Sequence, residues 1–173
     1  MSITLIEYNP EWPAQFGQVR DALAAALDSV VIAIEHVGST AVPGLAAKPV
    51  LDIDVIVESL DRLPLVVQRM ASIGYTHQGD LGITGRHAFK APPGGPARHV
   101  YVCAVDSIPL REHLAFRDYL RQNPGDARAY ATLKRELAAA VGDDRVAYTD
   151  RKTVFVRGIL SRCAESSQRP AAE

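Results

Sequence analysis

Two short apolar runs, residues 30–37 and 50–57, bracket a small-residue turn at Gly38-Ser39, and the second run carries acids at Asp52 and Asp54. Both runs are dense in Val and Ile and read as strands buried on both faces. Strand residues two apart point to the same face, so the two carboxylates project from one side of one strand, roughly 5–7 Å apart. At about 5 Å and an effective dielectric near 20 they repel by roughly 3 kcal/mol. Among Val, Ile and Leu that repulsion needs an offset. A shared divalent cation supplies one, because Mg²⁺ favours one or two carboxylates together with substrate phosphates. The alternative is a pair of strand-end acids satisfied by backbone or by Lys48, which is costly inside an apolar run.

The turn carries the other half of the argument. Glycine lets backbone come close to a ligand, and exposed N–H groups at a turn or helix start attract anions. Ser39 adds a hydroxyl donor at the same place. A Gly-Ser turn facing an Asp-x-Asp strand is a phosphate cradle opposite a metal clamp, the pair from which polymerase-type nucleotidyltransferases are built. Lys48 falls between cradle and clamp, placed either to contact a phosphate or to neutralise one of the acids.

The rest of the chain supplies the frame. Pro13 opens a helix whose Phe16, Val19, Leu23, Leu27 and Val30 recur at helical spacing. Trp12 at its entry reads as a hydrophobic staple rather than a base-stacking group. Residues 60–73 form a second amphipathic helix closed by Gly74. Residues 79–85 are glycine-rich without a Walker or dinucleotide spacing and read as a mobile loop. Residues 86–90 and 98–105 flank Pro-Pro-Gly-Gly-Pro and form a hairpin. On its second strand His99, Tyr101 and Cys103 share one face. His99 and His87 are expected near one another across it. Arg86, Lys90 and Arg98 place three cations on or beside the hairpin, suited to phosphate or to guarding a sheet edge. Helices are expected to about residue 122, over 127–141 with a stop at Gly142, and beyond a cap at Thr149 or Asp150. Residues 164–173 read as a frayed tail.

The 173 residues suit one domain, taken here as 1–163. A net charge of −1 argues against an extended nucleic-acid surface, which needs a basic surplus. Cys103 and Cys163 are too few for a disulfide scaffold and have no zinc-site spacing. No signal peptide or membrane-spanning run is visible, so the expected location is cytoplasmic.

The stretch from Glu35 to Val50, Glu-His-Val-Gly-Ser-Thr-Ala-Val-Pro-Gly-Leu-Ala-Ala-Lys-Pro-Val, followed by Leu-Asp-Ile-Asp, resembles the signature of the GrpB family, a branch of the nucleotidyltransferase superfamily. The resemblance continues in residues 86–89, 99–103, 116–121, 130–134 and 148–152. It implies an α/β fold: a nucleotidyltransferase-like core with a mixed sheet flanked by helices and added C-terminal helices. Asp52 and Asp54 are then the expected catalytic groups and ligands of Mg²⁺ or Mn²⁺. Gly38, Ser39, Lys48, Arg86 and His99 are the expected contacts of a nucleoside triphosphate or another phosphorylated small molecule. Active members of the superfamily commonly add a third carboxylate from a later strand. Here that strand offers His99, Tyr101 and Cys103, leaving Asp80 and Asp106 in loops as substitutes. GrpB-like domains also occur fused to dephospho-coenzyme A kinases. That suggests a second reading, a non-catalytic module binding a nucleotide or coenzyme A precursor beside an enzyme of coenzyme A biosynthesis. The chain itself has no Walker A motif.

Overall fold

The structure, a computed structural model, describes residues 4–141 and 144–168. Helix α1, Trp12–Leu27, starts where Pro13 needs no intrahelical N–H partner and buries Trp12, Val19, Leu23 and Leu27. Trp12 packs edge-on against Tyr8, as a staple would. A 3₁₀ turn, Asp28–Val30, occupies the start of the first expected strand, so β1 covers only Ala33–Val37. After a second 3₁₀ turn, Ser39–Ala41, β2 runs over Leu51–Val57 and α2 over Leu63–Ser72. Gly74 ends α2 in the left-handed region at φ 84°. Strands β3, Thr76–His77, β4, Arg86–Lys90, and β5, Arg98–Ala104, follow. Helices α3, Ile108–Gln122, α4, Pro124–Val141, and α5, Arg145–Gln168, complete the chain.

The five strands form one mixed sheet in the order β1-β2-β5-β4-β3. Strands β2 and β5 run parallel, and the other pairs are antiparallel. One face packs on α1 and α2: Ile53, Val55, Val57, Val100 and Val102 meet Leu23, Leu27, Val66 and Met70. Burying each such side chain contributes about 1.5–3 kcal/mol, which is why this face is all aliphatic. The opposite face has a small apolar patch, Ile56, Cys103 and Leu110, beneath α3. A second core lies among the C-terminal helices, where Phe116, Leu120, Tyr130 and Ile159 enclose Val42 and Leu45 of the segment before β2. Among the described residues, no helix is long and apolar enough to cross a membrane.

Three sequence expectations are corrected. The last helix begins at Arg145, not after Thr149 or Asp150. Asp144 Oδ1 accepts the Ala147 N–H at 2.9 Å and satisfies an otherwise orphaned donor. The helix also continues to Gln168, into the stretch expected to fray, and residues 169–173 and the stop at Gly142 lie outside the described residues. Finally, His87 pairs in register with Val102, so it lies on the face opposite His99 and bonds His77 instead, at 3.1 Å. A period of two puts neighbouring registers on opposite faces, and no spacing within the hairpin sequence reveals which register is taken.

His36 faces the α1 side, stacked on Phe16 with ring centroids 4.8 Å apart and hydrogen-bonded to Thr40 at 2.9 Å. Burial pushes its pKa down to about 4 from 6.5. The unfolded chain therefore binds a proton between those values that the folded chain excludes, so this contribution is full above pH 6.5 and is lost as pH falls toward 4. Urea unfolding at about pH 7.5 and pH 5 should show wild type losing about 2 kcal/mol more than a His36→Gln variant over that interval. Equal losses in the two proteins would mean that His36 takes up its proton as readily in the fold as in the unfolded chain.

Candidate active site

The site lies where β1 ends, β2 begins and β5 begins. Because β1 is antiparallel to β2, Val37 pairs with Asp52 and the chain turns at Gly38 directly against that carboxylate. Gly38 takes φ 71°, and a Cβ built there would overlap the Asp52 side chain. Only glycine meets both demands, the left-handed backbone and the close approach. Parallel pairing sets His99 beside Asp52 and Tyr101 beside Asp54 on the same face.

A cavity of about 410 Å³ opens over this end of the sheet. Ser39, Lys48, Asp52, Arg86, His99 and Tyr101 line it, so five of the expected site residues meet there, with Gly38 forming the turn behind Asp52. Arg86 starts level with Cys103, well along the sheet, and its guanidinium lies over the Tyr101 ring at 4.1 Å. Lys48 Nζ lies 4.6 Å from the centre of the Tyr148 ring.

Asp54 is placed differently. It shares the face, as the strand period requires, but it is 0% exposed and is not part of the cavity wall. His113 of α3 reaches it, with Nδ1 2.7 Å from Asp54 Oδ2. A carboxylate only accepts, so Nδ1 carries the proton and donates. His99 makes the matching bond to Asp52 Oδ1 at 3.0 Å. For His113, burial disfavours the charged ring, but the hydrogen bond and charge of Asp54 outweigh it and the pKa is raised. For His99 the hydrogen bond to Asp52 leads, with the same result. Asp54 Oδ1, by contrast, is buried without a partner.

The C-terminal helices bring residues that sequence reasoning did not select. Lys134 of α4 is 2% exposed, and its Nζ donates to Ser39 Oγ at 3.0 Å and to the Ala46 carbonyl at 2.5 Å. Burial, reinforced by Lys152 and Arg135, lowers its pKa to about 7. Lys152 and Tyr148 of α5 line the same cavity, and burial lowers the Lys152 pKa as well. The available signals were faint: Tyr130–Lys134 and Tyr148–Lys152 each put an aromatic and a lysine four apart on a helix. His113 gave no local signal. Arg117 braces the neighbouring strand, with Nη1 2.6 Å from Glu35 Oε2 and 3.0 Å from the His36 carbonyl.

No third acid joins Asp52 among the described residues of the cavity wall. Asp80 Oδ1 accepts from Gly82 N within its own loop. Asp106 lies in the turn beyond the far end of β5, seven residues past His99.

The mixed sheet with its flanking helices is a nucleotidyltransferase-like fold, and here the acids at the start of β2 face a Gly-Ser turn. The fold is shared with Cid1, solved in complex with its short product ApU, at a TM-score of 0.53 and 13% identity over 75% of this chain and 42% of that one. The chain belongs to the GrpB family: the family model described as "GrpB protein" matches residues 2–162. The solved GrpB protein from Enterococcus faecalis superposes with a TM-score of 0.86 at 36% identity, covering 96% of this chain and 100% of that one. UPF0157 protein PA4798 of Pseudomonas aeruginosa is 36% identical over 170 residues, 97% of this chain and 70% of that protein. UPF0157 protein YqkA of Bacillus subtilis is 34% identical over 90% of this chain, which spans only 45% of YqkA. A dephospho-CoA kinase of Mycolicibacterium paratuberculosis is 32% identical over 92% of this chain and 46% of its own length.

Replacing Gly38 by alanine is expected to destabilise the fold by about 1–3 kcal/mol, the cost of a side chain at φ 71° and ψ −167°. The overlap with Asp52 adds to it. Urea denaturation measures the change, and an unshifted midpoint would show that the turn relaxes without cost.

Proposed function

We propose that the cavity binds a nucleoside triphosphate with Mg²⁺ or Mn²⁺, and that the chemistry it serves is nucleotidyl or related phosphoryl transfer. The observation that carries this reading is the charge balance of the cavity wall. Lys48, Arg86, Lys134 and Lys152 converge there against one lining acid, Asp52. Four cations in so small a space repel one another, and at Lys134, whose pKa is lowered chiefly by burial, Lys152 adds to the lowering. A polyphosphate relieves that repulsion, and a triphosphate also brings oxygen ligands for a metal.

Two carboxylates of the kind a hard divalent ion takes lie on this strand face, with no group of three His, Cys, Asp or Glu able to hold a metal among the described residues. Asp52 is accessible at the cavity, and the partnerless Oδ1 of Asp54 lies one step deeper on the same strand face. These two residues would hold the ion, which when bound neutralises phosphate oxygens and stabilises charge developing on them. His99 and His113 hold the two carboxylates in place. Ser39 and the backbone at Gly38 take the phosphate chain, with Lys134 fixing the Ser39 hydroxyl. Arg86 and Lys48 neutralise charge from elsewhere on the cavity wall. The likeness to Cid1 supports the fold of such a site, and the short product ApU solved with that protein is in keeping with nucleotidyl chemistry.

A second reading comes from the relatives named dephospho-CoA kinase, in which this chain matches less than half of the length. On that reading the same cavity takes a coenzyme A precursor and assists a catalytic partner. The two readings separate in a thermal-shift panel of nucleoside triphosphates and coenzyme A precursors with and without Mg²⁺ or Mn²⁺. Stabilisation by triphosphate that requires metal is expected. Stabilisation by the precursor alone, independent of metal, would favour the assisting module.

The carboxylates can be tested directly. Asp52→Asn and Asp54→Asn keep the shape and can still accept the histidine hydrogen bonds, so both variants should fold. Calorimetric Mn²⁺ affinity should fall by about tenfold or more in each, as expected for the loss of a charged ligand. Wild-type affinity in both would remove the clamp. With Asp52 the one acid on the wall among the described residues, binding should exceed turnover.

A further inference from the structure

A cavity larger than the one over Asp52 lies elsewhere among the described residues. It is a groove of about 760 Å³ between the loop at Pro43-Gly44 and helices α3 and α4. That volume lies within the range of about 300–1,000 Å³ typical of small-molecule sites. Its floor is apolar and well buried, formed by Leu120, Ala127 and Ala131. Three guanidinium groups stand around it: Arg121 from α3, and Arg128 and Arg135 from α4. Arg128 and Arg135 are seven residues apart, two turns along one helix face, or about 10 Å.

The charges here are unbalanced. The one acid of the lining, Glu7, is already taken by Arg135, with Nη2 2.5 Å from Oε1. Arg121 is oriented by its Nε and Nη2, which both donate to the Ala41 carbonyl at 2.9 and 2.8 Å, while its Nη1 lies 3.7 Å from Asp118. Arg128 makes no hydrogen bond or ion pair among the described residues, although it borders the groove. A planar fork without a partner beside two others is suited to a carboxylate or phosphate, which guanidinium binds in bidentate fashion. An inorganic anion alone would leave the apolar floor wet, and a neutral hydrocarbon would leave the arginine cluster uncompensated.

We propose that this groove is a second binding site, for an amphipathic anion: a small molecule with a phosphate or carboxylate head and an apolar body. The head pairs with Arg128 and its neighbours, and the body covers Leu120, Ala127 and Ala131. This assignment does not depend on the reading of the Asp52 cavity.

The probe is hexyl phosphate, titrated calorimetrically into the full chain beside inorganic phosphate and hexanol. Two variants report on the groove. Arg128→Glu reverses the charge of an exposed residue, and Thr132→Trp fills the groove from an exposed position, so both should fold. Hexyl phosphate should bind about tenfold or more tightly than either control, with a loss of about tenfold or more in each variant. Hexyl phosphate binding no tighter than inorganic phosphate would overturn the proposal. So would binding that keeps its affinity and stoichiometry in Arg128→Glu and Thr132→Trp.

Discussion

A carboxylate with no exposure in the middle of a sheet sets the terms for everything packed above it. Asp54 lies on the inner strand β2, between Glu35 of β1 and Tyr101 of β5 in register, and an unpaired charge there would cost several kcal/mol. The first element after the sheet answers that demand: α3 sends His113 to Asp54 and Arg117 to Glu35. Helix α3 is therefore seated by charge as much as by its apolar contacts with Ile56 and Cys103. Helices α4 and α5 dock on α3 and on the segment before β2, and so deliver Lys134, Tyr148 and Lys152 to the cavity.

The two faces of the sheet thus follow different physics. The α1–α2 face is aliphatic, close-packed and supplies most of the hydrophobic stabilisation. The opposite face trades apolar burial for a polar network that places an accessible acid beside a glycine turn. Lys134 illustrates the trade: burying its ammonium is costly, and the bonds to Ser39 and Ala46 offset part of that cost while tying helix α4 to the cradle. An anion in the cavity would offset more, so binding there strengthens the same contacts that hold the helices to the sheet.

Much of this was legible in the chain. The Val- and Ile-rich runs, the Pro-Pro-Gly-Gly-Pro hairpin and the helix periodicities mark elements whose stabilisation is local, so they read directly from spacing. Strand β3 was missed because two residues carry no period. The start of α5 was missed because its capping Asp144 is an exposed residue with no apolar pattern behind it. Gly38, Ser39 and Asp52 were readable as neighbours because a turn and an alternating strand bring them together with little help from the rest of the chain.

The sequence by itself determined that Asp52 and Asp54 share a face, that a glycine turn stands near them, and that helices close the chain. It determined the family as well, through a signature that begins in the turn and the acidic strand and continues to residue 152. Only the tertiary structure decided that the two acids differ, one open at a cavity and one sealed beneath His113. It alone brought Lys134 and Lys152 to the cavity over Asp52, and kept Asp80 and Asp106 off its wall. The physical reason is sequence separation. His113 meets Asp54 across 59 residues and Lys134 meets Ser39 across 95, and contacts of that span follow from how helices dock on a sheet rather than from any pattern along the chain.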